Sequence, residues 1–350
     1  MDTSIRKEES QLLKGWAVFL MVSGHLLTVR WINNDIQLMD IRVFDETLTG
    51  VLINLLNCCV HIFAFLTGYI WNVSFTKKSK LNRIIDIYGK YWFSLLVVVP
   101  FFFMLNDIEI ESINWFCEMI GVNVQMSRFC WYIPFFALAI LTYPILRRIL
   151  RGGEKQNPYF LIILIVAVGF AMRVVGRVLF KAEVIDEIGL DLCSRYFSTM
   201  PSLLIGTIVN EYGLFDVWNK RVKQREIVAI ILISLFVVIN FGVIYVLDIS
   251  SNWDCVTIVF YMWAAVTIIK LLKKDSVFYK IFNLLGKHSL YIWLIHCIFF
   301  LPQVQKITYI LRVPVLVIIM VLLLSLLISI GMSSIEEKVR FLFRRKVKNA

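Results

Sequence analysis

The sequence predicts an all-α polytopic membrane protein of about ten transmembrane helices, with both termini cytoplasmic. Three observations carry that reading. Of 350 residues, 59% are hydrophobic and only 17% charged, and the mean hydropathy is +0.77, well above that of a soluble domain of this size. Apolar runs long enough to cross a bilayer recur along the whole chain. Lys and Arg are concentrated in alternate connections between those runs.

The runs fall at about 12–30, 51–73, 88–105, 131–149, 158–179, 196–213, 227–247, 253–272, 286–303 and 311–334. Run 88–105 is short, and 196–213 carries Pro201 and Gly206. Twenty-seven of the 36 Lys and Arg residues lie up to Lys14, at 77–90, 147–155, 220–225 and 270–287, and from Lys338 onward. The positive-inside rule places those segments in the cytoplasm. The net charge of +11 is then mainly a topology signal, and its scatter over short loops excludes a nucleic-acid partner.

The chain divides into one integral-membrane domain, 1–336, and a basic tail, 337–350, whose RFLFRRKVKN stretch suits an anionic lipid surface. Glu8 and Glu9 precede the first run and no small-residue cleavage site follows it, which argues against a cleaved leader. The seven cysteines fall in the outer half or outer loops and show no C-x-x-C or zinc spacing; they read as small apolar packing residues, with disulfides of undeduced pairing as the alternative.

Taken in order, the first run contains KGWAVFLMVSGH, Lys14 to His25. Eleven helical steps of about 100° return nearly to the starting face while rising roughly 16 Å. Lys14 and His25 therefore share a stripe, the cation near the cytoplasmic surface and the imidazole inside the hydrocarbon. An ionisable side chain at such a depth is a functional candidate. The second run carries HIFAFLTGYIW, 61–71, in which His61 reads as near mid-membrane and Thr67-Gly68 permits close helix approach. KKSKLNRIIDIYGKYW follows at 77–92. Lys77, Lys78 and Arg83 there suit an anionic cytosolic ligand next to Lys14, although a positive-inside loop would carry the same cations.

The outer connection 106–130 contains IEIESINWFCEMIGV, with Ile110, Ile113, Phe116, Cys117 and Ile120 as the apolar face of an amphipathic segment. In RFCWYIPFFALAILTYPIL, 128–146, Trp131 and Tyr132 mark the outer interface, and Pro134 and Pro144 predict kinks. Arg173 and Arg177, four apart near an outer helix end, either snorkel or line a polar cavity for sugar hydroxyls or phosphate. LGKHSLYIWLIHCIFF, 285–300, brings His296 to a depth similar to that of His25.

These residues bound the chemistry. Three histidines at mid-depth raise the question of a metal, but no run holds two at i,i+3 or i,i+4 and Glu211 is the one carboxylate placed near a run, so no metal is expected. The shortage of carboxylates also counts against a proton-coupled carrier. A transferase fits better. An imidazole is suited to general-base work near pH 7 and can take the proton of an alcohol attacking a thioester. The cytoplasmic cations would hold a phosphorylated acyl donor. The alternative is a polytopic transporter or flippase for a lipid-linked sugar or acyl group, with no chemistry of its own.

Four motifs in order resemble the acyltransferase 3 family of integral-membrane O-acyltransferases. KGWAVFLMVSGH is similar to its first-helix pattern of a basic residue, ten residues and a histidine. FAFLTGYI is similar to its F-x-x-[FIL]-S-G-[FY]-[LI] element, with Thr67 where Ser is usual. FCWYIPFFALAILTYPIL resembles its W-[FY]-x-x-x-L…YP helix, and LGKHSLYIWLIH its L-G-x-x-S-x-x-[IL]-[WY]-L-x-H helix.

The resemblance implies an acyl-CoA, most simply acetyl-CoA, as cytoplasmic donor. It implies a hydroxyl of a surface or lipid-linked sugar (capsule, O-antigen or exopolysaccharide) as acceptor, the bacterial inner membrane as the location, and partner proteins of polysaccharide assembly. By position, His25 is the catalytic histidine and Lys14 takes a basic place that is often Arg, losing the bidentate fork. Arg83 falls among cations after the second run, with Lys77 and Lys78 beside it. His61, Trp131, Arg173, Arg177 and His296 are the candidate acceptor-binding residues.

Overall fold

The computed structural model of the chain describes residues 5–28, 36, 38–39, 42–43, 46–47, 56, 58–74, 80–105, 114–122, 130–151, 156–245 and 254–348. Among these the architecture is helical, apart from one antiparallel pair, β1 (Arg42–Val43) against β2 (Glu46–Thr47). Helices α1 (Lys7–Leu27) and α2 (Cys59–Ser74) precede α3 (Lys80–Leu105) and a short α4 (Trp115–Ile120). Next come α5 (Tyr132–Arg151), α6 (Pro158–Lys181), α7 (Glu187–Glu211), α8 (Leu214–Arg221), α9 (Arg225–Tyr245) and α10 (Asp254–Leu271). The chain ends with α11 (Val277–Lys287), α12 (Ser289–Ile295), a 3-10 turn (His296–Phe300), α13 (Pro302–Thr308) and α14 (Pro314–Lys348).

Four helices among the described residues are long and apolar enough to cross a bilayer: Lys80–Met104, Tyr132–Leu150, Pro158–Lys181 and Pro314–Val339. They match the runs expected at 88–105, 131–149, 158–179 and 311–334, and the short run at 88–105 proves to be the end of a longer helix. Leu96, Ile163, Val168 and Leu327 are exposed on their outer faces, the arrangement expected where lipid rather than water covers the surface. The tail at 337–348 continues the last helix without a break.

The expected run at 286–303 is not one helix. It divides at His288 between α11 and α12, and α12 tightens into the 3-10 turn at His296. Pro302 explains the stop, because the residue before proline is steered out of the α region, and Leu301 is extended at φ −62°, ψ 133°. The carbonyls released there are satisfied locally. Gln305 Nε2 donates to the Phe300 carbonyl at 3.0 Å and Thr308 Oγ1 to that of Phe299 at 3.1 Å.

Two reciprocal glycine contacts set the core. A Cβ at Gly15 would lie 1.9 Å from the Phe282 carbonyl oxygen, and one at Gly286 would lie 1.8 Å from that of Gln11. Helices α1 and α11 thus touch backbone to backbone. Gly68 and Gly206 repeat the device between α2 and α7, with 1.8 Å to Leu203 O and 2.1 Å to Phe65 O. Small residues of this kind let helices approach where the surrounding lipid offers no hydrophobic drive. Gln11 Nε2 adds a hydrogen bond of 2.9 Å to Asn283 Oδ1 at the first crossing.

Candidate active site

Helix α1 ends just past His25. Thr28 Oγ1 donates to the Gly24 carbonyl at 2.7 Å, and the Tyr309 hydroxyl, from beyond α13, donates to the Leu26 carbonyl at 2.8 Å. These bonds satisfy carbonyls that a helix end leaves open and hold the His25 backbone against the segment that carries His296. The two imidazoles meet there. His25 Nδ1 and His296 Nε2 are 2.8 Å apart, with Phe300 edge-on to both rings. His296 is fully buried, and its Nδ1 lies 2.5 Å from the Trp293 carbonyl oxygen.

Trp293 leads toward a second feature. Tyr132 of α5 packs edge-on against it at 5.7 Å. On the same helices, Tyr291, two residues before Trp293, and Phe136, four after Tyr132, line a cavity of about 1000 Å³. Arg83, Lys90, Lys287 and His288 supply cationic or titratable groups to it, and Asp86, Glu336 and Glu337 supply carboxylates. Part of this charge is already matched. The Tyr291 hydroxyl donates to Glu336 at 2.6 Å and Lys90 Nζ lies 3.8 Å from the same carboxylate. His288 Nδ1 pairs with Ser333 Oγ at 3.2 Å. From His288 in this cavity to His296 is eight residues, a rise of about 12 Å if helical throughout.

The remaining sequence candidates are distributed as follows. Arg83 lines the cavity, whereas Lys14 does not. Lys14 sits beside Gly15 at the α1–α11 crossing and makes no hydrogen bond or ion pair among the described residues. Lys77 and Lys78 lie outside the described residues, as do Ile110 and Ile113. His61 lies in the first turn of α2, paired with Ser202 Oγ at 2.8 Å. Arg173 lies within electrostatic reach of His61 and near Arg177. Trp131 carries Arg195 over its ring at 5.0 Å, and Arg195 is bonded to Asp191 at 2.6 Å.

The segment around 115–120 turns apolar side chains outward and a carboxylate inward. Glu118 is 1% exposed while Phe116 is 72% exposed. Donors on α3 hold its backbone: Tyr88 and Tyr91 hydroxyls and Trp92 Nε1 reach the carbonyls of Ile120, Glu118 and Met119 at 3.0, 2.6 and 2.9 Å. Gly121, left-handed at φ 77°, ends the helix. Glu118 comes within electrostatic reach of Cys297, the neighbour of His296. Glu118 is thus a buried carboxylate, whereas the partly buried Glu211 is paired with Arg147 at 2.7 Å.

None of the seven cysteines, all among the described residues, is joined in a disulfide. No group of three metal-ligating side chains occurs among the described residues.

A family model described as an acyltransferase domain matches residues 8–334. The chain belongs to the acyltransferase 3 family. The match spans α1 and its histidine, the cavity helices and most of α14. No curated protein and no solved structure gives a significant match. Lys90, Lys287 and His288 are residues of the acyltransferase that the sequence did not single out as site candidates. The first two are hidden among the cations of positive-inside connections.

Proposed function

We propose that this membrane acyltransferase moves an acetyl group, or a related acyl group, from cytoplasmic acyl-CoA to a hydroxyl of a surface or lipid-linked sugar. We place it in the bacterial inner membrane, with ten membrane-crossing segments and both termini in the cytoplasm. The observation that carries the reading is the His25–His296 pair, eight residues along the chain from the wall of a large cavity that holds Arg83, Lys90 and Lys287. The cations suit the phosphates of CoA. The carboxylates of the same cavity suit its amide and adenine amino donors. The pantetheine arm would thread past Tyr291, Phe136 and Trp293 to present the thioester to His25, and Lys14, Lys77 and Lys78 would add positive charge on the donor side.

In the reaction, His25 takes the proton of the acceptor hydroxyl as that oxygen attacks the thioester carbonyl. The carbon–sulfur bond then breaks, and the same imidazole returns the proton to the departing thiolate. Arg173, Arg177, Trp131 and His61 form the acceptor side of the proposal, and proteins of polysaccharide assembly would deliver the glycan. The test is release of free CoA thiol by the purified protein given acetyl-CoA and a glycan acceptor. His25→Ala should lower that rate by about 10²- to 10⁴-fold. Full thiol release by His25→Ala would overturn the assignment of the base. Glycan translocation without any CoA release would favour the transporter instead.

A further inference from the structure

We infer that His296 is a positioning residue that fixes the tautomer of His25, so that the basic lone pair is carried on His25 Nε2. The inference rests on His25 being the base, as proposed above. It follows from two hydrogen bonds read in order. The Trp293 carbonyl oxygen can only accept, so His296 Nδ1, 2.5 Å away, must carry a hydrogen. A neutral imidazole has one N–H, which leaves His296 Nε2 as an acceptor. His25 Nδ1, 2.8 Å from it, is therefore the donor of that bond. The remaining lone pair of His25 lies on Nε2.

The chain of donation runs from His25 Nδ1 to His296 Nε2 and from His296 Nδ1 to the Trp293 carbonyl. Its anchor is a backbone atom in α12, and the second ring is fully buried, so the chain does not depend on solvent. When Nε2 takes the acceptor proton, His25 becomes an imidazolium whose Nδ1–H already points at a lone pair of His296. The charge is thus formed where an acceptor stands ready, the role that an orienting partner plays for a catalytic histidine generally. No proton needs to leave His296 for this to work. Mass and charge balance among the alcohol, the thioester and His25: the acyl group passes from sulfur to oxygen, and the alcohol proton passes by way of His25 Nε2 to the departing sulfur.

The break in the apolar run at 286–303 fits this geometry. In the 3-10 turn that starts at His296, side chains advance by about 120° per residue rather than 100°. His296 lies at that junction, with its Nδ1 turned back to the carbonyl three residues earlier and its Nε2 turned toward α1.

The chain holds only four histidines, which makes a direct measurement practical. In full-length protein labelled with ¹⁵N-histidine and purified in lipid nanodiscs, the His25 signals, assigned by loss in His25→Gln, should report a protonated Nδ1 and an unprotonated Nε2. The opposite tautomer would overturn the inference whatever any variant does.

Kinetics supply the second arm. His296→Ala and His296→Leu should lower kcat by about 10²-fold while leaving the KM for acetyl-CoA unchanged. His296→Gln, whose amide oxygen can accept from His25 Nδ1, should recover most of the loss. Equal kcat in His296→Ala and wild type, with His25→Ala inactive, would remove the role of His296 but leave the base reading intact. An active His25→Ala would remove both. A His296→Gln variant as slow as His296→Leu would show that packing rather than the hydrogen bond accounts for the effect.

Discussion

The Tyr291 hydroxyl donates to the Glu336 carboxylate across 2.6 Å, joining the short helix that leads to His296 to the long C-terminal helix. Lys90 approaches the same pair from a third helix, 3.8 Å from Glu336 and 5.7 Å from the centre of the Tyr291 ring. Tyr291→Phe removes a donor from a partly buried carboxylate and should cost about 1.5–3 kcal/mol, the usual range for a hydrogen bond to a charged group. A lowered melting temperature in detergent, with a changed KM for acetyl-CoA, is the expected result. An unaltered KM would show that this wall of the cavity does not touch the donor.

The glycine crossings give a sharper stability test because controls exist in the same protein. Gly286→Ala and Gly15→Ala would each drive a methyl carbon to within 2 Å of a backbone carbonyl oxygen. Neither helix can yield without moving as a whole, so losses beyond the common overpacking range of about 1–3 kcal/mol are expected. A Cβ at Gly89 or at Gly331 would meet nothing within 4 Å. Alanine there should be harmless or stabilise by about 0.5–1 kcal/mol. Thermal melts of the four variants provide the comparison.

His61 and Ser202 are both buried and bonded to each other. Ser202→Ala leaves an imidazole nitrogen without that partner and should destabilise by about 1–3 kcal/mol. If this pair also faces the acceptor, the KM for the glycan should rise in Ser202→Ala while the KM for acetyl-CoA stays fixed. A parallel change in both constants would indicate a purely structural pair.

On the cytoplasmic side of the proposed topology, Lys274 lies 2.8 Å from Glu8 and holds its carboxyl below the ordinary value of 4.5. A lowered carboxyl pKa favours the folded state above the unfolded value, and that contribution is lost as pH falls through the folded one. The pair is solvent-exposed, so its effect is screened by salt. Lys274→Ala should let the Glu8 carboxyl return upward, measurable by NMR titration, with thiol release at neutral pH unchanged.

Much of this site is legible in the residues alone. Lys14 and His25 stand out because charge and imidazole are costly within an apolar helix, and the spacing of eleven sets their common face. His296 can be matched to His25 in depth, but depth does not determine which helices touch. That requires the glycine crossing at Gly15 and Gly286, which pattern alone does not pair.

The break at His296 is harder to see, since LIHCIFF is apolar on both sides of the histidine and the stop signal, Pro302, lies six residues later. Glu118 is hidden for another reason. Spacing marks the apolar face of its segment but not which side meets lipid, and the segment is seated through its backbone carbonyls by Tyr88, Tyr91 and Trp92. Lys90 and Lys287 are obscured because topology alone accounts for cytoplasmic cations.

Helix α1 is clamped twice to one stretch of chain, 286–309. The first clamp is the glycine contact with Gly286, and the second is formed by Tyr309 on Leu26 and His296 on His25. Two separated clamps remove sliding and rotation alike, so α1 and that stretch behave as a single strut. A catalytic cycle that admits a donor and an acceptor must then flex around the strut, and the histidines stay in register while the entrances open and close.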